Sequence, residues 1–299
     1  MAKLEDYFRD PKISGKLMSL ITPESGFGSM HIESDGKASA LFVDNTPVIY
    51  FDGNTITEMY LPDVKELEYD WISFEVVKDL KILELPNLRK IGDEVHLGGA
   101  RKISVPNLKQ VGDWCLGTGN LQKFDAPSLE IVGHGFLKNA HELKSLNLPS
   151  LKKAGEDFLM SAQNLETLIV PELVVVGPYL LANNIKLSKL HAPKLSGELD
   201  DCFMWNEELE VLDLPNVTCL KGEGFYGNKK LREVHLPKLI KMDEDGFPPI
   251  IVKAYRENIA AKEKAEKMQR FKQSVGVFQS ADDANKKTSN FIKPGDWNR

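Results

Sequence analysis

Three residues that could bind a metal ion or exchange protons, His191, Asp213 and His235, follow one another at intervals of 22 residues. Imidazole nitrogens and carboxylate oxygens are common zinc ligands, and a His–Asp pair can also serve in acid–base catalysis. On adjacent strands the three would stand about 4.8 Å apart, which leaves the two histidines about 9.6 Å from each other. That separation exceeds comfortable sharing of one ion. We therefore expect a solvated polar ladder without metal, and keep a metal-dependent enzyme as the less favoured alternative.

Two other features resemble chemical motifs without their usual context. The run Gly222–Gly227, GEGFYG, matches the dinucleotide-binding fingerprint, which requires a strand before it and a helix after it, whereas here it falls in the turn of a repeat. No cysteine belongs to a Cys–His–acid grouping: Cys115 and Cys202 occupy apolar positions, and Cys219 is expected in an accessible turn. The sequence thus predicts no catalytic residue, no cofactor and no small-molecule substrate.

Prolines recur throughout the middle of the chain, and the last six are 22 residues apart. The residues one and three before each proline and two after it are apolar in every repeat. Apolar residues two apart predict a short strand with one buried face, and proline ends that strand because it lacks an N–H. The prolines are Pro62, Pro86, Pro106, Pro127, Pro149, Pro171, Pro193, Pro215 and Pro237. They mark the corners of about nine stacked coils over residues 56–247, a solenoid with a parallel β-sheet along one side.

The repeat pattern L-x-x-L-x-L-P-x-L-x-x-V-G-x-x-F-L-x-N resembles the leucine-rich repeat superfamily, and its proline and late phenylalanine are similar to the treponemal, or BspA-type, class. The resemblance covers about two thirds of the chain. It implies a right-handed leucine-rich repeat coil and, more loosely, a bacterial surface or secreted protein involved in adhesion.

Strand alternation places the residues two and four before each proline on the outward face of the sheet, where residue types vary. Mixed charged, polar and apolar side chains on a rigid face favour recognition of a protein partner over catalysis, and a solvent-facing sheet without a ligand is the alternative. The predicted contact residues are Tyr60, Ile82, Glu84, Lys102, Ser104, Lys123, Asp125, Asn147, Ile169, Lys189, His191, Asp213 and His235.

Both ends of such a stack need caps. Residues 1–55 are expected to supply an N-terminal cap with a β-hairpin, its strands at Ser39–Val43 and Val48–Phe51. Residues 248–275 are rich in Ala, Lys and Glu and predict a C-terminal helix whose first two or three turns cover the last coil. Residues 276–299 are expected to form a flexible tail.

The net charge of −6 conceals an asymmetry. From Pro248 onward 11 basic residues face 6 acidic ones, so this segment is near +5 and the preceding body near −11. The acidic body argues against nucleic-acid binding, whereas the basic helix suggests a second hypothesis, an adaptor that contacts an acidic membrane or partner. With no signal-peptide core or membrane span in the sequence and an odd count of 3 cysteines, we expect a cytoplasmic protein, with export by a leaderless route left open.

Overall fold

The computed structural model describes residues 81–95, 100–117, 119–243 and 246–289, with side chains up to residue 273. It also describes six earlier strands, Met30–Ile32, Lys37–Ala40, Phe42–Val43, Thr46–Pro47, Glu58–Tyr60 and Glu66–Leu67. The predicted solenoid is confirmed: each coil places short parallel strands beside those of its neighbours.

The first sheet is formed by the strand that precedes each proline. Its strands are Glu58–Tyr60, Ile82–Glu84, Lys102–Ser104, Lys123–Asp125, Ser145–Asn147, Thr167–Ile169, Lys189–His191, Val211–Asp213 and Glu233–His235. The middle residue points into the core, as alternation requires, and the residue just before the proline is buried as well. Hydrogen bonding divides the sheet into blocks of four, three and two strands, with breaks after Asp125 and after His191.

A second sheet, which the sequence did not predict, runs along another side of the coil, and its hydrogen bonding breaks after Val176. Its strands within the coils are Glu66–Leu67, Lys90–Ile91, Gln110–Val111, Ile131–Val132, Lys153–Ala154, Val175–Val176, Ser196–Asp200, Asn216–Lys221 and Lys241–Met242. Most contribute one buried side chain each, such as Val111. A glycine follows several of these strands. Gly155 lies over Gly133 of the preceding coil, and a Cβ added to Gly155 would lie 2.6 Å from that backbone. Glycine therefore permits the close approach of coils at this corner.

The remaining side of the coil is an irregular turn in which alternate residues adopt positive φ. In one coil these are Asp157, Leu159 and Ser161, at 59°, 56° and 61°. Such conformations cost roughly 1–2 kcal/mol for residues with a Cβ. Each amide bonds to a neighbouring coil: Asp157 donates to the Pro178 carbonyl at 3.0 Å and Leu159 to the Phe136 carbonyl at 3.0 Å. The turn thus adds a third set of hydrogen bonds between coils and offsets its own strain.

Aromatic rings stack along the core beneath this turn. Phe136 and Phe158 are parallel with centroids 6.1 Å apart, and Phe203 and Phe225 stack at 5.0 Å. All four rings are fully buried. Asn184 and Asn206 are also buried and donate to carbonyls of the preceding coil, the latter to Leu181 at 3.0 Å. The core therefore combines apolar layers with a short polar ladder at one corner.

The N-terminal strands form two hairpins. Met30–Ile32 pairs antiparallel with Lys37–Ala40, which in turn lies parallel to Glu66–Leu67 and so extends the second sheet. Phe42–Val43 pairs antiparallel with Thr46–Pro47. Thr46–Pro47, which the sequence suggested would join the two strands, is itself a strand, and the predicted strand Val48–Phe51 lies outside the described residues.

One helix, Pro249–Ser289, follows the last coil. As expected, its first turns act as a cap: Ile251 is fully buried, Tyr255 packs against the core, and the Asn258 amide donates to the Leu236 carbonyl at 2.7 Å. From Ala260 to Gln273 every side chain is exposed. The cap is therefore confined to the beginning of the helix.

The predicted helix end at residue 275, and the flexible tail assigned from 276 onward, are wrong as far as Ser289. The polar composition after Val275 suggested disorder, but no proline interrupts the chain before Pro294. Adding one residue to an existing helix gains a hydrogen bond without a new nucleation cost, so the helix continues. No helix in the described ranges is both long enough and apolar enough to cross a membrane.

Candidate binding face

The outward face of the first sheet carries the predicted contact residues. Nine of them are exposed: Lys102, Lys123, Asp125, Asn147, Ile169, Lys189, His191, Asp213 and His235. Ile82, Glu84 and Ser104 are half-buried, and the Tyr60 side chain lies outside the described residues. Val211, in the outward column four before the proline, is 43% exposed, and Ile169, in the outward column two before it, is 37% exposed. Apolar side chains thus stand among charged ones on this face.

Strand register shows which of these residues are neighbours. Lys102 lies opposite Lys123, and Ser104 opposite Asp125. In the next block Ile169 lies between Asn147 and His191. Because hydrogen bonding in the first sheet breaks after Asp125 and after His191, the outward face is divided into three blocks at these positions.

The His191, Asp213 and His235 row is only partly assembled. The His235 Nδ1 and Asp213 Oδ1 atoms are 2.8 Å apart, with both side chains about two thirds exposed (65% and 64%). His191 belongs to a different block, which has no ladder to the strand of Asp213. Among the described residues, no three His, Cys, Asp or Glu side chains are arranged to hold a metal ion. The geometry is that of an exposed hydrogen-bonded pair, which contributes little stability.

Outside the first-sheet face, charged residues pair from one coil to the next. Lys152 Nζ lies 2.7 Å from Glu130 Oε2, and Lys194 Nζ lies 2.6 Å from Glu172 Oε2. Three further pairs, Lys229–Glu207, Lys230–Glu208 and Arg232–Glu210, have contacts of 2.7 to 2.8 Å. Hydrogen bonding and the charge of Lys152 lower the pKa of Glu130. The sequence analysis missed these pairs, although opposite charges 22 residues apart are visible once the repeats are aligned.

The lysines of the first-sheet face have no such partners. Lys102, Lys123 and Lys189 are exposed, and none forms an ion pair with any residue that the structure describes. Lys102 and Lys123 are register partners, so two like charges lie opposite each other, an arrangement that destabilises a sheet. Folding alone therefore gives no reason for this pattern.

The remaining chemical candidates have structural roles. Phe225, in the Gly222–Gly227 run, is fully buried, and a turn rather than a helix follows it. Burial raises the pKa of the Cys115 and Cys202 thiols to about 12. Cys219 does not lie in an accessible turn as expected: it belongs to the strand Asn216–Lys221 and is 6% exposed. Its register partners Glu198 and Lys241 are exposed, so Cys219 lies on the outward side of the strand, beside their side chains.

Residues 72–188 match the family model described as the BspA type leucine rich repeat region, in 6 copies. No curated protein matches the chain significantly. Among solved structures, the chain is similar to a leucine-rich repeat protein from Bacteroides ovatus, with 16% identity, coverage of 75% of this chain and 79% of that chain, and a TM-score of 0.42.

Two further solved structures show the same kind of likeness. A leucine-rich repeat protein of T. pallidum is 12% identical, with coverage of 79% of this chain and 95% of that chain and a TM-score of 0.37. A leucine-rich cell surface protein from Faecalibacterium prausnitzii is 13% identical, with coverage of 71% and 93% and a TM-score of 0.24.

Proposed function

Because this chain carries BspA-type leucine-rich repeats, we propose that it is a non-enzymatic scaffold that binds a protein partner through the outward face of its first sheet. One observation carries the proposal. Most residues of the outward columns are exposed and their lysines are unpaired within the described chain, whereas several charged residues elsewhere on the coil are joined in pairs.

The make-up of the face supports a protein as the partner. Ile169 and Val211 expose apolar area at 37% and 43%, and they are surrounded by Lys, Asp, Asn and His side chains. A protein interface typically joins an apolar centre to a polar rim. The face rests on strands held by hydrogen bonds and a continuous core, so little ordering entropy would be lost on binding.

Binding without catalysis suits the shape of the face. Catalysis needs a concave site with converging groups, and the outward columns stand on a sheet surface. A cavity of about 450 Å³ lies along the helix beside Met268 and Phe271, and another of about 330 Å³ lies beside Phe247 at the last coil. Both are away from the first-sheet face.

A second candidate function, the adaptor, is favoured by the exposed part of the helix. Between residues 260 and 273 it carries five basic and two acidic side chains, all in solvent. Its two large apolar side chains, Met268 and Phe271, line one hollow together with Glu263, Lys264 and Lys267, and this apolar area is too narrow to hold a helix in a lipid surface. Sedimentation with phosphatidylserine vesicles tests this candidate: cosedimentation that is lost when residues 260–289 are deleted would support it.

The main proposal can be tested with two matched valines. Val211→Asp places a charge on the first-sheet face, and Val175→Asp places one on the outward side of the second sheet, where Val175 is 51% exposed. Both proteins should fold, because both positions face solvent. In affinity capture with quantitative mass spectrometry, Val211→Asp should reduce recovery of a partner that the unchanged protein and Val175→Asp retain. Equal recovery by both variants would place binding elsewhere.

A further inference from the structure

A group of basic residues crosses four consecutive coils at the beginning of the first-sheet strands. It occupies the outward column four before the proline and the adjoining column five before it. We call the basic patch the set Lys81, Arg101, Lys102, Lys123 and Lys144, all of which are exposed. The column five before the proline was not considered in the sequence analysis, since alternation alone would turn it inward.

Side chains in these columns lie close enough to interact. In later coils, Glu210 and Arg232 occupy the column five before the proline, and their charged atoms are 2.8 Å apart. Lys81 and Arg101 hold the equivalent places in two earlier neighbouring coils, where both charges are positive. Lys102 and Lys123 are direct register partners in the next column. The basic patch therefore brings together like charges that the same fold pairs with opposite charges elsewhere.

The charge of the basic patch is not neutralised by the described protein. None of its five members forms an ion pair with a described residue. Acidic residues border it: Glu58 in the preceding coil, Glu84 and Asp125 farther along the strands, Glu142 before Lys144, and Glu166 in the next coil. The bordering residues mark where the patch ends.

The wider charge distribution also singles out this part of the solenoid. Residues 81–153 contain 11 basic and 7 acidic residues, a net charge of +4, whereas residues 154–247 contain 9 and 16, a net charge of −7. The body as a whole is near −11, so a positive block interrupts an acidic protein. Such a block raises the local concentration of an anionic partner and selects its orientation.

We propose that the basic patch binds an extended acidic segment of the protein partner, an inference that rests on the proposed function. Four coils span about 14 Å at roughly 4.8 Å per strand spacing, a length matched by four or five residues of extended peptide. Carboxylates along such a segment can face lysines in successive coils. Nucleic acid fits less well, since the patch includes no aromatic side chain on which bases could stack and the rest of the body repels phosphate.

The test measures binding of a fluorescein-labelled decaglutamate peptide to the full chain by fluorescence anisotropy at about 0.1 M ionic strength. Lys102→Glu combined with Lys123→Glu should weaken binding at least about tenfold, and raising the salt concentration should weaken binding to the unchanged protein. The control, Lys90→Glu combined with Lys153→Glu, makes the same change in net charge on exposed strand residues of the second sheet. It should alter the Kd by less than about twofold, since salt screens charges beyond about 10 Å at 0.1 M ionic strength.

Folding is checked by the melting temperature and by a neutral pair, Lys102→Gln with Lys123→Gln. The Gln pair should melt no lower than the unchanged protein because it removes a like-charge contact, and the Glu pair should melt close to the unchanged protein because it exchanges one like-charge contact for another. Absence of peptide binding, an equal loss in the control pair, or tighter binding of a ten-residue thymidine oligonucleotide or of phosphatidylserine vesicles would overturn the proposal. If any of these results is found while Val211→Asp still loses partner capture, the first-sheet face binds a partner but the basic patch does not bind an acidic segment of it.

Discussion

Neighbouring residues of one short strand allow a direct measurement of what burial contributes to this solenoid. Leu168 and Ile169 both belong to Thr167–Ile169, and their relative exposures are 1% and 37%. Replacing either by Ala removes three carbon atoms. For Leu168, transfer accounts for about 2.4 kcal/mol at roughly 0.8 kcal/mol per carbon, and the cavity left behind brings the loss to about 3–4 kcal/mol. For Ile169, water can fill the vacated space, so we expect a loss of about 1 kcal/mol.

The measurement is urea denaturation of Leu168→Ala and Ile169→Ala, followed by circular dichroism and tryptophan fluorescence. The expected difference in the free energy of unfolding is about 2 kcal/mol, with similar denaturant slopes for the two variants. A one-residue change of register would exchange the two side chains between core and solvent. Equal losses, or a larger loss for Ile169→Ala, would therefore refute the assignment of inward and outward columns.

Other consequences of the packing can be measured independently. Gly155→Ala should lower the free energy of unfolding, measured in urea, by about 3 kcal/mol, because the new Cβ would lie 2.6 Å from backbone atoms. Gly119→Ala is the control, since the nearest atom to its Cβ is a side-chain carbon 3.8 Å away, and it should change the free energy of unfolding by less than about 0.5 kcal/mol. Similar values for both variants would contradict the close approach of coils. Since burial raises the pKa of Cys115 and Cys202 to about 12, neither thiol should react with a disulfide reagent at pH 8 unless urea is added, and rapid labelling of the folded protein would contradict their burial. Stability should also fall above pH 9, the ordinary thiol value being 9.0, because the unfolded chain loses these protons at lower pH than the folded one.

The first sheet was predictable because every repeat has the same pattern of apolar residues before its proline. Leu146, Leu148 and Pro149 give an alternation of inward positions followed by a residue that cannot continue a ladder. The second sheet was missed because strands such as Ile131–Val132 contain two residues, too few to show a period. The shortness of these strands, rather than their composition, prevented prediction of the second sheet.

The candidate face could be predicted as a set of positions but not as a set of contacts. Alternation identified the outward columns, while the 2.8 Å contact of His235 with Asp213 and the separation of His191 depend on where hydrogen bonding between coils stops. The residues five before the proline, including Arg101, are exposed because the chain bends before the strand begins. A rule based on strand period has no information about that bend.

The coil-to-coil ion pairs also bear on how the chain finds its correct order while folding. Every coil presents nearly the same apolar edge, so the core alone would allow a coil to dock on the coil after next. Such a skip would set Glu130 opposite Val174 instead of Lys152, and would bring Lys152 near Lys109 in the opposite direction. Each correct pair contributes only about 0.5 kcal/mol, yet each skipped register loses several at once and adds repulsion. Charge therefore distinguishes coils whose apolar edges are nearly the same. It favours docking of the adjacent coil over docking of a more distant one while the solenoid is still folding.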